Sequence, residues 1–261
     1  MAMAAFFPTF RKFMLGTAVV VSVAAIVPAA RAAEAVHVPK QSWSFDGVFG
    51  TYDKMALQRG YKIYREVCAA CHSMERVAFR NLADLGYSPA QIKAVAAEYS
   101  YMDAPNDEGE ILERKGLPSD PFKNPYANRE QAMYINGAFP PDLSLIVKAR
   151  AGGADYIYAL LTGYEHAHEG VTLGANQHYN KYFPGHILMM PPPLADGQVS
   201  FDDDAPQTLD QYARDVATFL AWASEPHMEE RKRTGLMAFI FLLVFTGVMY
   251  TLKKKIWSKV H

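Results

Sequence analysis

The chain has 261 residues, and its 26 Lys/Arg against 27 Asp/Glu leave a formal net charge of −1 at pH 7. Residues 33–228, however, hold 16 Lys/Arg and 25 Asp/Glu, a net −9 that argues against a nucleic-acid partner and against adhesion of this domain to an anionic lipid surface by charge, and favours a basic partner reached by electrostatic steering. Only two cysteines exist, Cys68 and Cys71, so whatever they do they do together.

At the start of the chain, Arg11 and Lys12 precede an uncharged run from Phe13 to Val27, then Pro28 and the small-residue triplet Ala30-Arg31-Ala32. This pattern predicts a secretory signal peptide over residues 1–32, cleaved after Ala32 or Ala33. The run is shorter than the about 20 residues that a spanning helix needs.

Residues 33–230 read as one exported domain, in which amphipathic helical patches alternate with long Pro/Gly-rich stretches rather than with β-patterned runs. The class expected is all-α with extended loops. A first helix is predicted from about Tyr52 to Cys71, with Leu57, Tyr61, Tyr64, Val67 and Cys71 on one face. Ser88-Pro89-Ala90-Gln91 announces a second, in which Ser88 caps, Pro89 takes the first helical position and Gln91 closes a capping box; it should end near Tyr99. Asp142–Arg150 and Asp155–Leu161 read as two short helices stopped at Gly152 and Gly163. A last soluble helix starts at Thr208, with Gln211 completing its box, buries Leu209, Tyr212, Val216, Phe219 and Leu220, and is expected to continue through Glu229–Arg233.

That continuation leads into an anchor helix over residues 231–255. Gly235–Leu252 carries no charge, and its 18 residues give a helix about 27 Å long, close to the about 30 Å hydrocarbon core. Arg231, Lys232 and Arg233 before it, and Lys253, Lys254, Lys255 and Trp257 after it, have side chains that reach the two interfaces. Four Lys/Arg follow the span and three precede it, too even a count to set orientation. The cleaved signal sets it instead, exporting the large domain and leaving a tail at 256–261 inside.

Cys68-Ala69-Ala70-Cys71-His72 is the c-type haem attachment motif, in which two thiols add across the haem vinyl groups and the next residue supplies an imidazole to iron. Cysteines three apart lie on one face of a helix end, so both reach one porphyrin edge while His72 turns beneath its centre. A thioredoxin-like dithiol wants a βαβ context, and half a zinc site wants two more ligands at finger-like spacing. A sixth protein ligand makes such a haem a carrier; an open face makes it a peroxidase or gas sensor. Met189 and Met190 are the candidates, followed by Pro191-Pro192-Pro193, which hold the loop extended, and only one of two neighbours in an extended segment can face iron. His186 is a further candidate ligand, and His166 and His168, two apart in a loop, do not by themselves build a metal site.

The sequence resembles the cytochrome c1 family, the haem subunits of the cytochrome bc1 complex (ubiquinol–cytochrome c reductase), from about Ser42 to Lys255. The resemblance rests on Arg59-Gly60-Tyr61 through the haem motif to Ser73-Met74, on Pro105–Glu110, on Pro140-Pro141-Asp142-Leu143-Ser144, and on Arg150, Gly152-Gly153 and Asp155-Tyr156. It continues through Leu161-Thr162-Gly163-Tyr164, Tyr182-Phe183-Pro184-Gly185, Glu225-Pro226 and Arg231-Lys232-Arg233. It implies a cytochrome c-like haem domain with one covalently bound haem c and one C-terminal transmembrane helix, sited in a bacterial inner membrane with the haem domain periplasmic. Such a protein is not catalytic alone; it takes an electron from a Rieske iron–sulfur protein and passes it to a cytochrome c, with cytochrome b and membrane lipid as its other partners. Aligning the loop by Pro192-Pro193-Leu194 puts the sixth ligand at Met190, so His72 and Met190 would hold the iron. Arg150 and Tyr156 match residues that hydrogen-bond a haem propionate, and Pro140 and Pro141 would pack on the haem edge. Some bacterial members carry an extra cysteine pair near the haem, which this chain lacks. The competing readings are the c-type haem subunit of a terminal oxidase or nitric oxide reductase, which usually place the anchor first, and a haem peroxidase or gas sensor.

Overall fold

The computed structural model describes residues 36–259; the expected signal peptide and its cleavage point lie outside the described residues. Among the described residues seven α-helices carry the fold: α1 (Lys54–Glu66), α2 (Pro89–Ala96), α3 (Arg129–Asn136), α4 (Ile146–Ala149), α5 (Gly153–Thr162), α6 (Leu209–Ser224) and α7 (Met228–Trp257). Six short strands join them, β1 (Met74–Ala78), β2 (Ser100–Met102), β3 (Glu113–Lys115), β4 (Pro121–Phe122), β5 (His178–Tyr179) and β6 (Ile187–Leu188). They pair antiparallel as β1 with β4, β2 with β3 and β5 with β6, and each pair ties down one long loop of a mainly helical domain.

The centre of the domain is the crossing of α1 over α6. Asp53 starts α1, its carboxylate accepting from the amides of Met55 and Ala56. The apolar face predicted for this helix turns inward, with Leu57, Tyr61 and Tyr64 buried against Phe219 and Trp222 of α6 and against Phe79 and Phe122. Phe79 and Phe122 pack with ring centroids 4.5 Å apart. A fully buried aromatic of this kind contributes about 2–3 kcal/mol of transfer free energy. Gly60 lets the two backbones meet: a Cβ there would lie 2.2 Å from the Asp215 carbonyl oxygen and 2.6 Å from the Phe219 Cβ. Beside the crossing, Arg59 forks onto the buried Asp215 carboxylate at 2.7 and 3.0 Å and onto Asp203 at 2.7 Å. Arg59 thus compensates a charge that burial would otherwise disfavour.

The helices end where local chemistry ends them. α1 stops at Glu66, earlier than its periodicity suggests, because Val67 leaves helical geometry and the chain tightens into a 3₁₀ turn at Cys68–Ala70. α2 follows its capping box, Ser88 N–H donating to the Gln91 side chain and Gln91 N–H to the Ser88 hydroxyl. The helix expected from Asp142 begins only at Ile146, since the Asp142 carboxylate is engaged elsewhere. Gly152 proves to be the left-handed residue that opens α5, and Gly163 the residue that closes it.

α6 and α7 are not one continuous helix. Glu225 leaves helical geometry and Pro226 cannot donate, so the chain breaks before α7 begins. Tyr52 bridges the break, its hydroxyl donating to the carbonyls of Ala221 and Glu225. α7 is the one helix among the described residues long and apolar enough to cross a membrane, and no part of its apolar stretch is covered by the rest of the chain.

Candidate functional site

The 3₁₀ turn after α1 carries the attachment motif. Cys71 and His72 N–H groups both donate to the Cys68 carbonyl, at 3.1 and 2.8 Å, which folds Cys68, Cys71 and His72 around one short turn. Neither cysteine is paired in a disulfide. Burial pushes the Cys68 thiol up to about 12, with Cys71 adding a smaller push, so it remains protonated at neutral pH.

His72 is fixed by a hydrogen bond of 2.8 Å between its Nδ1 and the Pro141 carbonyl oxygen. A carbonyl can only accept, so Nδ1 carries the proton and Nε2 keeps its lone pair for a metal. Burial holds this imidazole below its ordinary pKa, against smaller opposing effects of the Pro141 carbonyl and Asp142, and keeps it neutral. The Pro141 segment is itself locked in place. Asp142 accepts from the Ser73 hydroxyl, the Glu75 amide and the Ser144 amide at 2.8, 2.8 and 2.9 Å, while Leu143 N–H donates to the Ser73 carbonyl. Pro141, expected as a packing residue, therefore presents its carbonyl to the histidine.

The methionine loop rests on the same stretch of chain. β5 and β6 pair just before it, and the fully buried Asn180 holds their turn, donating from its side chain to the Leu160 carbonyl and accepting from Tyr182 N–H. Met189 packs on Gly137, where an added Cβ would lie 2.4 Å from the Met189 methyl. Met190 follows in a bend after β6, and its carbonyl accepts from the Tyr164 hydroxyl at 3.0 Å. His186, the other axial candidate, has its Nδ1 3.3 Å from the Asn180 carbonyl and stacks on Tyr179, while His168 meets that ring edge-on.

Arg150 and Tyr156 are brought side by side. Burial raises the Tyr156 phenol, and the Arg150 guanidinium beside it opposes that rise. The Gly152-Gly153 turn permits the approach, since a Cβ on Gly152 would sit 3.3 Å from the Tyr156 Cβ. Tyr164 is raised by burial with the Tyr156 phenol nearby, so a line of groups runs from Arg150 through Tyr156 and Tyr164 to the Met190 main chain.

Residues 136–142 join these parts. Asn136 faces the Cys71 thiol at 3.9 Å and receives the Tyr126 hydroxyl, Gly137 carries Met189, and Pro141 holds His72. Two free thiols on one turn, a neutral imidazole with a free Nε2, a thioether loop seated on the same stretch and a cation beside a phenol form a donor set that fits a covalently attached haem. Sequence reasoning missed α3, Asn136 and Tyr164. The signals for α3 were present in Asn128, whose side chain caps it through Gln131 N–H, and Gly137, its left-handed stop. Tyr164 stood in one of the motifs that carry the resemblance, but its role had no local signal, because its partner lies 26 residues away.

The Cytochrome C1 family model matches residues 43–260. Among similar proteins, cytochrome c1 of Rhodospirillum rubrum is 44% identical over 256 residues, covering 91% of this chain and 94% of that protein. Cytochrome b/c1 of Bradyrhizobium diazoefficiens is 50% identical over 246 residues; the match covers 85% of this chain but only 36% of that longer protein. A mitochondrial cytochrome c1 heme protein of Arabidopsis thaliana is 44% identical over 233 residues, 88% of this chain and 76% of the relative.

Proposed function

The chain belongs to the cytochrome c1 family, the haem subunits of the bc1 complex, and from that premise we propose that it accepts single electrons from a Rieske iron–sulfur protein and delivers them to a basic cytochrome c. When bound, the haem iron supplies the one-electron ferric/ferrous couple. Every other part of the task falls to the polypeptide. Cys68 and Cys71 tether the group, and His72 offers Nε2 from a ring whose tautomer Pro141 has already set. Met190 would offer the iron a neutral, soft thioether, which favours the ferrous state relative to a second imidazole and so raises the potential. A raised potential suits an acceptor from a Rieske centre, whose own histidine ligation places it high. Arg150 and Tyr156 offer a cation and a hydroxyl to a propionate. Residues 33–230 face the periplasm, α7 anchors them beside cytochrome b, and the C-terminal tail is cytoplasmic.

The observation that carries this reading is the hydrogen bond from His72 Nδ1 to Pro141, made within the segment that also seats the methionine loop. Replacing Met190 with Leu should abolish the sulfur-to-iron charge-transfer band of the ferric spectrum, admit carbon monoxide and block quinol-driven cytochrome c reduction. Replacing Met189 with Leu should leave all three nearly intact, because its side chain is spent on Gly137. The reverse result makes Met189 the ligand. A band that survives both changes ends the axial assignment, and quinol-driven reduction that survives Met190→Leu ends the carrier reading.

A further inference from the structure

The segment between Trp43 and Tyr52 forms a tight loop that presents apolar side chains to solvent at the foot of α7. Thr51 N–H donates to the Ser44 carbonyl at 3.1 Å, closing the loop, and Trp43 N–H donates to the Asp46 carboxylate at 3.0 Å. Gly47 is left-handed, and Gly50 turns so sharply that a Cβ there would lie 2.0 Å from the Asp46 carbonyl oxygen. At the tip, Val48 is 61% and Phe49 81% exposed. A soluble surface gains nothing from a rigid turn built to hold a phenylalanine in water.

Three hydrogen bonds fix the height of this loop. The Lys232 ammonium donates to the carbonyls of Phe45 and Gly50 at 2.6 and 3.0 Å, and Tyr52 N–H donates to the Glu229 carboxylate at 2.8 Å. Glu229 and Lys232 lie in the first turns of α7, and the charge-free stretch begins at Gly235. Three residues of helix rise about 4.5 Å, which keeps the loop within reach of the interfacial layer that flanks the hydrocarbon core.

We propose that Val48 and Phe49 insert into the lipid interface beside the anchor helix, a second membrane contact that sets the tilt of the haem domain. The inference rests on α7 spanning the bilayer. Aromatic rings favour the interface, and Arg233, exposed one residue beyond Lys232, matches anionic headgroups in a domain that is otherwise acidic. The loop is continuous with the span through Lys232, so lipid is the surface that Phe49 meets first.

The test uses the full-length, haem-loaded chain in phosphatidylcholine/phosphatidylglycerol vesicles. Both native cysteines are consumed by the haem, so Phe49→Cys and, in a second protein, Val48→Cys give single sites for a nitroxide label. Leu243→Cys calibrates the lipid end and Glu108→Cys the aqueous end. Labels at 48 and 49 should be reached by oxygen in preference to a nickel chelate, as at 243. Preference for the nickel chelate, as at 108, overturns the proposal, and so does an immobilised label that neither reagent reaches, which places the tip against protein. A label at 243 that fails to report lipid overturns the spanning assignment of α7 instead.

Discussion

Single hydrogen bonds decide which atoms of the site are free to act. His72 keeps Nε2 free because Pro141 occupies Nδ1, and a histidine whose Nδ1 lacked a partner could present either nitrogen. Tyr164 grips the Met190 carbonyl and so fixes the main chain of the proposed sixth ligand. Replacing Tyr164 with Phe keeps the ring and its packing but removes a net hydrogen bond of about 1 kcal/mol, so the loop should open about fivefold more often. Cyanide should then displace the methionine from ferric haem about fivefold faster, while the haem stays covalently attached. An unchanged rate would mean that the proline run alone keeps the loop closed.

At the level of elements, the α1–α6 crossing depends on one missing methyl group. Replacing Gly60 with Ala puts a carbon against the Asp215 carbonyl and the Phe219 Cβ, and forced overpacking of this kind costs about 1–3 kcal/mol. Urea denaturation of the haem-loaded protein should show the loss, together with a weakened Arg59–Asp215 pair, because the helices must separate to admit the carbon. An unaltered midpoint would mean that the crossing is looser than the backbone approach implies. The anchor behaves as a separable element. Cutting after Arg233 keeps Arg231 and Lys232, and with them the ties to Glu225, Phe45 and Gly50, and keeps every proposed ligand. The truncated protein should be soluble with an unchanged haem spectrum; loss of the ferric charge-transfer band would show that the span supports the site. The capping signals read from the sequence marked the starts of α2 and α6, since a cap involves residues three apart. The starts of α4 and α5 were misread, because there Asp142 and Asp155 serve distant segments, Asp155 taking the Trp43 indole N–H at 2.6 Å.

Over the whole molecule, charge and apolar surface are segregated, with an acidic soluble domain above an uncovered hydrophobic helix. The β2–β3 hairpin carries part of that acidity. Asp107, Glu108, Glu110 and Glu113 are exposed, whereas Asp103 is partly neutralised by Arg114 at 3.4 Å. Replacing Asp107, Glu108 and Glu110 with their amides should slow electron transfer to a basic cytochrome c at low salt and matter little at high salt. Steering by charge is screened over about 8 Å at physiological ionic strength. A low-salt rate that does not change would leave the hairpin as a solvated turn. The haem motif, the capped helices, the anchor and the acidic balance were all legible in the sequence, because each depends on residue type and on order along the chain rather than on which distant groups meet. Tertiary structure alone decided which nitrogen of His72 is free, that Met189 lies on Gly137, that Tyr164 holds Met190 and that Lys232 fastens the Phe45–Gly50 loop. Each of those pairs a group with a partner 26 to 187 residues away. No periodicity or local propensity encodes such a distance, and only the packing of α1 on α6 and of the loops around them brings the partners within reach.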